Sequence, residues 1–507
     1  MVATPTNTSL PGAGVPPVHA RRLPEPDRRV LVRRGIEITR ILSSELAPLA
    51  LRQARELHRG RLPPSAAARP LRHSAQRLGG TFLKFGQMVA SSPGLFGEDV
   101  ADEFRSCLDT GPPVPFPEVR LRVEDDLGCS LEEAYAEFDP DPIGRASIAV
   151  VYRGRLHDGR EVAVKVLRPD IETLVATDLD LMQPLVDIIS RMTGDQTAGS
   201  TLQLLDGLRQ QLGEELDLRN EARALEHFRR LAAQIDAPLV AVPEPYPELS
   251  GPNVLAMELL HGAPIDDLAR AEDLGYDPAP LVEQVVRSFF VTTVRWGVFH
   301  GDIHAGNMLL LDDGRIGVID WGIVGRLDED THTFLIRLLQ GALGDESAWP
   351  DITAYLTKIY GRAIQEGLGM TDEELTVFIR NLIEPTLTRP FGEVSLAALV
   401  EAPQIQAARA AGVTAHERSV RSILRRLRAQ RRMRRLADES GGLMSDFDRG
   451  AFLLGKQLMY FERYGKMFLA DVPLMQDREF LASLLAGAPG RDPGRDRARG
   501  LEVGEQN

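Results

Sequence analysis

Between His300 and Gly322 the chain carries an acid, an amide and a second acid at spacings that few folds can use. Asp302 lies in His300-Gly301-Asp302-Ile303-His304, Asn307 follows it by five residues, and Asp320 stands before Trp321-Gly322. The intervening residues are two short apolar runs, Asn307-Met-Leu-Leu-Leu311 and Ile316-Gly-Val-Ile319, on either side of Asp312-Asp313-Gly314. Apolar runs of that length around an Asp-Gly turn predict a hairpin, and a hairpin returns Asn307 to the neighbourhood of Asp320. The fold must therefore place a loop-borne carboxylate, an amide and a second carboxylate at one end of a small sheet. Such oxygen donors suit a magnesium ion held on nucleotide phosphates, with the first carboxylate left to orient an attacking hydroxyl.

That spacing matches the protein-kinase catalytic loop, which sets an Asn five residues after its Asp and a second Asp before Gly further on. A kinase also needs a strand-borne lysine for the α- and β-phosphates. Lys165, in Val162-Ala163-Val164-Lys165, has the right local form. The strand readings are Ile148–Tyr152 and Glu161–Val166, joined at His157-Asp158-Gly159, with a third over Asn253–Leu259. Met257-Glu258-Leu259 is placed like the hinge strand that meets adenine through its backbone. A lysine in this role needs an acid to fix it. The helical stretch around Gly213–Glu221 offers Glu214, Glu215, Asp217 and Glu221, and the last two share a face at four-residue spacing. Composition does not choose among them. The loop that would cover the phosphates, Ile143-Gly144-Arg145-Ala146-Ser147, has one glycine and departs from the Gly-x-Gly-x-x-Gly form.

Helical patterns dominate the rest. Residues 30–58 and 66–91 read as helices before the sheet, and residues 117–138 as one or two short ones. After it come 172–192, 201–235, Leu281–Val298 and nearly everything from 330 to 485. Residues 1–28 and 487–507 read as disordered tails. The expected architecture is α+β and two-lobed: a helical extension over 29–138, an N-lobe over 139–260 and a mostly helical C-lobe over 261–486. At net charge −14 the chain is not built as a nucleic-acid binder. Cys107 and Cys129 form no framework, and no run of apolar residues is long enough to span a bilayer, so a cytoplasmic protein is expected. Residues 418–436 are the exception in charge, with nine arginines from Arg418 to Arg435 beside Val420, Ile423, Leu424 and Leu427. Their first reading is a solvated helix face. The second is peripheral contact with the inner face of an anionic membrane.

Taken together these residues resemble the AarF/UbiB family of atypical kinases. Lys84-Phe85-Gly86-Gln87 matches the family's Lys-x-Gly-Gln motif, Glu215-Leu216-Asp217 its Glu-x-Asp motif, and Ala146-Ser147-Ile148-Ala149 the end of its Ala-rich loop. The resemblance covers roughly residues 35–470. It implies a kinase-like core whose N-terminal extension folds over the site, with Lys84 and Gln87 facing Glu215, Asp217 and the phosphates, and Glu221 as the partner of Lys165. It also implies ATP and Mg2+ as cofactors, with Asp302 orienting the nucleophile, Asn307 and Asp320 on the metal, and Ala146, Ser147, Met257 and Glu258 around the nucleotide. His300 and His304 are expected to be structural, their rings bonding the loop backbone. Family members are linked to isoprenoid quinone and lipid metabolism, with an acceptor that is protein, lipid, metabolite or water. Three departures stand out: an Arg- and Gly-rich C-terminal end, Gly144-Arg145 in the Ala-rich loop, and Ser91-Ser92-Pro93-Gly94-Leu95 without the usual Arg and Asp. The rival readings are a small-molecule kinase of the aminoglycoside-phosphotransferase type and a nucleotide-gated scaffold or lipid-binding module.

Overall fold

The computed structural model describes residues 18–52, 65–90, 98–104, 106–107, 111–193, 198–235, 240–267, 273, 275–360, 370–387, 449–469 and 477–486. The Arg-dense segment 418–436, the Ser91–Leu95 departure and the C-terminal tail lie outside the described residues. The described fold mixes helix and sheet, with helix in the majority.

Four helices come first: α1 (Arg28–Arg52), α2 (Ser65–Leu78), α3 (Gly80–Ala90) and α4 (Glu98–Phe104). The single helix expected over 66–91 is two. Gly79 and Gly80 take φ of +65° and +47°, a left-handed bend that side-chain-bearing residues rarely adopt. The expected disorder over 1–28 is also corrected for residues 18–27. Arg21 N–H donates to Gly213 O at 2.7 Å, its guanidinium reaches Leu216 O at 3.1 Å and Asn253 Oδ1 at 2.6 Å, and it pairs with Glu172 at 2.9 Å. His19 and Asn220 exchange two further bonds. A Pro-rich segment without apolar periodicity is here ordered by polar contacts, which composition does not register.

Two short helices, α5 (Phe116–Leu127) and α6 (Leu131–Ala134), lead into the main sheet. Its strands β1 (Glu137–Phe138), β2 (Gly144–Arg145), β3 (Ala149–Arg155), β4 (Glu161–Leu167) and β6 (Val254–Glu258) are antiparallel, with β4 between β3 and β6. The period-two alternation of β4 decides what faces where. Val162, Val164 and Val166 pack with Val119, Val123 and Tyr135 in one apolar cluster, while Ala163 and Leu167 belong to the main core on the opposite face. Lys165 shares that second face by register.

Helix α7 (Ile171–Thr193) follows β4, and then α8 (Ala198–Glu215) and α9 (Arg219–Ile235) occupy the stretch read as one helix. The break falls at Leu216–Leu218. The Asp217 carboxylate accepts from Arg219 N–H at 3.2 Å, while Asn220 Nδ2 caps Glu214 O at 2.8 Å, so side chains there take over from the helical ladder. Strands β5 (Val240–Ala241), β7 (Gly262–Pro264), β9 (Met308–Leu311) and β10 (Ile316–Val318) make a second sheet. The expected hairpin is present in it as β9–β10, Ile316 opposite Leu310. Helix α10 (Pro278–Trp296) runs into β8 (Val298–His300), which pairs with β11 (Val324–Arg326). Helices α11 (Glu329–Ala342), α12 (Ala348–Tyr360), α13 (Asp372–Leu387), α14 (Arg449–Phe468) and α15 (Arg478–Ala486) complete the described chain.

Candidate active site

Three elements converge on Lys165. Its ammonium lies 2.8 and 3.0 Å from the two carboxylate oxygens of Glu221, at the start of α9, and 3.2 Å from Asp320 Oδ2. Lys165 and Glu221 are buried, at 8% and 3% exposure. Burial works against the charge of Lys165, but Asp320 and Glu221 outweigh it and hold the pKa above the ordinary lysine value. Asp320 is held below the usual carboxylate range: desolvation opposes this, and Lys165, the Gly322 N–H and Lys84 prevail. Its side chain keeps 42% of its surface, so one edge faces open space. Glu221 has a second task, accepting Trp321 N–H at 3.1 Å. The indole packs against both His300, edge-on, and Phe228, tilted, with ring centroids 4.6 Å away in each case.

The catalytic loop is tied by its own residues. Asp302 N–H donates to His300 Nδ1 at 3.0 Å and the opposite ring nitrogen donates to Asp320 O, which fixes the neutral tautomer. Burial pushes the His300 pKa down to about 4. His304 differs from expectation: its ring faces the Asp302 carboxylate at 3.8 Å. Asn307 Nδ2 donates to Asp302 O at 3.1 Å, turning its amide oxygen the other way. Among the described residues no group of three or more His, Cys, Asp or Glu could hold a metal. Asn307 and Asp320 nonetheless fit magnesium, which takes one or two protein oxygens and completes its shell with phosphates and water.

Lys84 of α3 pairs with Glu215 at 3.0 Å, both nearly buried, and Gln211 steadies the same carboxylate at 2.7 Å. The nearby charge of Lys84 also helps lower both Asp302 and Asp320. Gly86 is where α3 meets α4: a Cβ there would come within 3.1 Å of Phe104 and 3.2 Å of Cys107. Gln87 lies one turn beyond Lys84 on α3. Asp217 does not join this group. It is bound by its own neighbour Arg219 at 2.7 and 2.8 Å, in the break between α8 and α9.

The covering loop is pinned from outside the site. Ala146 O accepts from Arg168 at 2.9 and 3.0 Å, and Arg168 also holds Pro112 O at 2.6 Å. Ser147 is buried at 3% exposure. On the hinge strand, Met257 sits opposite Ala163, and the Glu258 N–H is committed to Glu244 O at 2.8 Å.

Sequence reading missed the contribution of α14. Lys456 Nζ lies 2.6 Å from Asp302 Oδ1. Gln457 accepts from Ile303 N–H at 2.8 Å and donates to Ile303 O at 3.0 Å. The only signal was a Lys-Gln pair inside an amphipathic helix. Asp302 is held below its ordinary pKa: desolvation opposes this, and Lys456, His304 and Lys84 outweigh it. Its carboxylate is thus held in the charged form.

The model of the ABC1 atypical kinase-like domain matches residues 106–348. An uncharacterized aarF domain-containing protein kinase of Arabidopsis thaliana chloroplasts is 32% identical over 80% of this chain and 73% of its own length. The uncharacterized Mycobacterium tuberculosis protein Rv0647c is 37% identical over 52% of this chain and 54% of its own. The probable protein kinase UbiB of Aeromonas salmonicida is 32% identical over 64% of this chain, which spans 59% of that relative. Among solved structures, Mycobacterium tuberculosis Rv3197, in complex with erythromycin, aligns at TM-score 0.40 and 22% identity, over 72% of this chain and 85% of that one.

Proposed function

Because the chain belongs to the ABC1 atypical kinase-like family, with the aarF domain-containing and UbiB kinases, we propose that it transfers or hydrolyses the γ-phosphate of Mg-ATP. The observation that carries the reading is the Lys165–Glu221–Asp320 cluster, buried at Lys165 and Glu221 and open at Asp320, with Asp302 and Asn307 on the adjoining loop. Lys165, fixed by two carboxylates, has the charge and the rigidity to hold α- and β-phosphates. Asn307 and Asp320 are the residues that would hold Mg2+, which neutralises phosphate charge when bound. Asp302 orients the attacking oxygen, from water or an acceptor hydroxyl. The Lys84–Glu215 pair favours a site narrowed by α3, suited to a small or membrane-borne acceptor more than to a protein loop. A role in isoprenoid quinone or lipid metabolism rests on the family resemblance alone. No helix among the described residues is long and apolar enough to cross a membrane.

The test is ADP release from purified protein with Mg-ATP, with and without anionic liposomes, beside Asp302→Asn and Asp320→Asn. The reading expects turnover that falls on the order of 10²-fold or more in both variants. ATP binding without mutation-sensitive turnover in either condition would move the protein to the nucleotide-gated scaffold class.

A further inference from the structure

The face of α14 that meets the catalytic loop is built for that one contact. Leu453, Lys456, Gln457 and Tyr460 recur at the three- and four-residue steps of a single helix face. Leu453 lies against Gly301, Gln457 holds both polar groups of the Ile303 backbone, and the Tyr460 ring lies 6.0 Å from that of His304. Lys456, 13% exposed, is therefore set on Asp302 by a docked helix rather than by a wandering surface side chain.

We propose that Lys456 is a catalytic residue whose ammonium bridges Asp302 and the γ-phosphoryl group during transfer. The inference rests on the phosphotransferase reading above. An ammonium has three protons, and the 2.6 Å contact with Asp302 uses one. The oxygen that Asp302 orients must stand within about 3.5 Å of phosphorus to react. An ammonium on the same carboxylate is then one hydrogen bond from a phosphoryl oxygen. In the transfer, a bond forms between the attacking oxygen and phosphorus as the bond to the bridging oxygen breaks. The electron pair leaves with the nucleoside diphosphate, and the proton of the nucleophile passes to solvent or to a phosphate oxygen. Negative charge spreads over the three equatorial oxygens meanwhile. Lys165 lies on Glu221 and Asp320 and Lys84 on Glu215, whereas Lys456 is the lysine whose ammonium sits directly on the Asp302 carboxylate.

The experiment compares ATP turnover and ATP affinity in wild type, Lys456→Met, Lys456→Arg, Asp302→Asn and the double variant Asp302→Asn/Lys456→Met. The proposal expects Lys456→Met to lower kcat about 10²-fold while KM for ATP stays within about three-fold, and Lys456→Arg to recover at least about ten-fold of that loss. The double variant, which leaves no unpaired charge, should fall about ten-fold or more below Asp302→Asn, because a lysine acting only through Asp302 has nothing left to lose. Three results would overturn the proposal: kcat of Lys456→Met within three-fold of wild type, joint loss of kcat and ATP affinity with no rescue by Arg, or a double variant equal to Asp302→Asn. A wild-type protein that binds no ATP would instead remove the phosphotransferase reading itself, and this inference with it.

Discussion

Two lysines meet acids of the same site, and they come to it by opposite routes. Lys165 arrives on β4, in a strand whose alternation settles its direction, and its partners Glu221 and Asp320 lie in motifs with their own spacing. Lys456 arrives on α14, 154 residues after Asp302, in a helix with no motif around it. Lys165 shares its cluster with two carboxylates, Glu221 buried and Asp320 open along one edge. Lys456 faces the single carboxylate of Asp302, and both are largely covered. Both contacts are long-range, so the difference teaches that the Lys165 side is marked in the sequence because its partners carry recognisable spacing, whereas the Asp302 side depends on a docked helix that carries none.

The largest expected effect is on the Lys165 side. Lys165→Met leaves Glu221 and Asp320 buried or half-buried without their cation, and ATP turnover should fall about 10³-fold with a matching loss of ATP affinity. Turnover within ten-fold of wild type would show that the Lys165 cluster is a structural ion pair, which would end the comparison. On the distant-helix side, Gln457→Leu strips two hydrogen bonds from the buried Ile303 backbone and should cost about 3 kcal/mol of unfolding free energy in urea titration. A cost below about 0.5 kcal/mol would mean that α14 rests on the loop without holding it.

The same contrast explains how much was legible beforehand. The β3–β4 pair, the β9–β10 hairpin and the buried helix leading into His300 follow from periodicity and turn chemistry, which are short-range properties. Lys84 and Glu215 were found through a motif, and the structure brings them to 3.0 Å. The shared face read for Asp217 and Glu221 holds only if the helix continues, and it breaks at Leu216–Leu218, where Asp217 bonds Arg219. The ordered segment at Arg21 escaped notice because its partners, Gly213, Leu216 and Asn253, are about 200 residues away and polar. Lys456 escaped for the same reason. Apolar periodicity shows which face of a helix is buried but not which buried polar group waits beneath it.

A smaller effect separates the two sides by pH. His227, on α9 and edge-on to Phe228, is buried, and desolvation together with Arg230 and Arg326 pushes its pKa down to about 4. The native state therefore holds it neutral while the unfolded chain takes up a proton near pH 6.5, so stability present above that pH is lost as the solution is acidified. Between pH 7.5 and 5 the wild type should lose about 2 kcal/mol more than His227→Phe, read from urea midpoints. Equal losses would mean that water or a rearranged Arg326 reaches the ring and that this end of α9 is looser than the nucleotide cluster next to it.

The smallest expected effect tests whether the Lys165 side is as self-sufficient as its motifs suggest. Arg21 ties the N-terminal segment to Gly213 and Leu216 at the end of α8, and to Asn253 before β6. The turn it braces lies between Glu215, the partner of Lys84, and Glu221, the partner of Lys165. Arg21 is about a third exposed, so its ion pair with Glu172 is screened and its bonds to Leu216 O and Asn253 carry more weight. Arg21→Ala should cost about 1 kcal/mol of stability and raise KM for ATP about two- to five-fold, with kcat little changed. An unchanged KM with the same stability loss would show that the α8–α9 break keeps its shape without the segment, and that only the distant-helix side borrows its geometry from elsewhere in the chain.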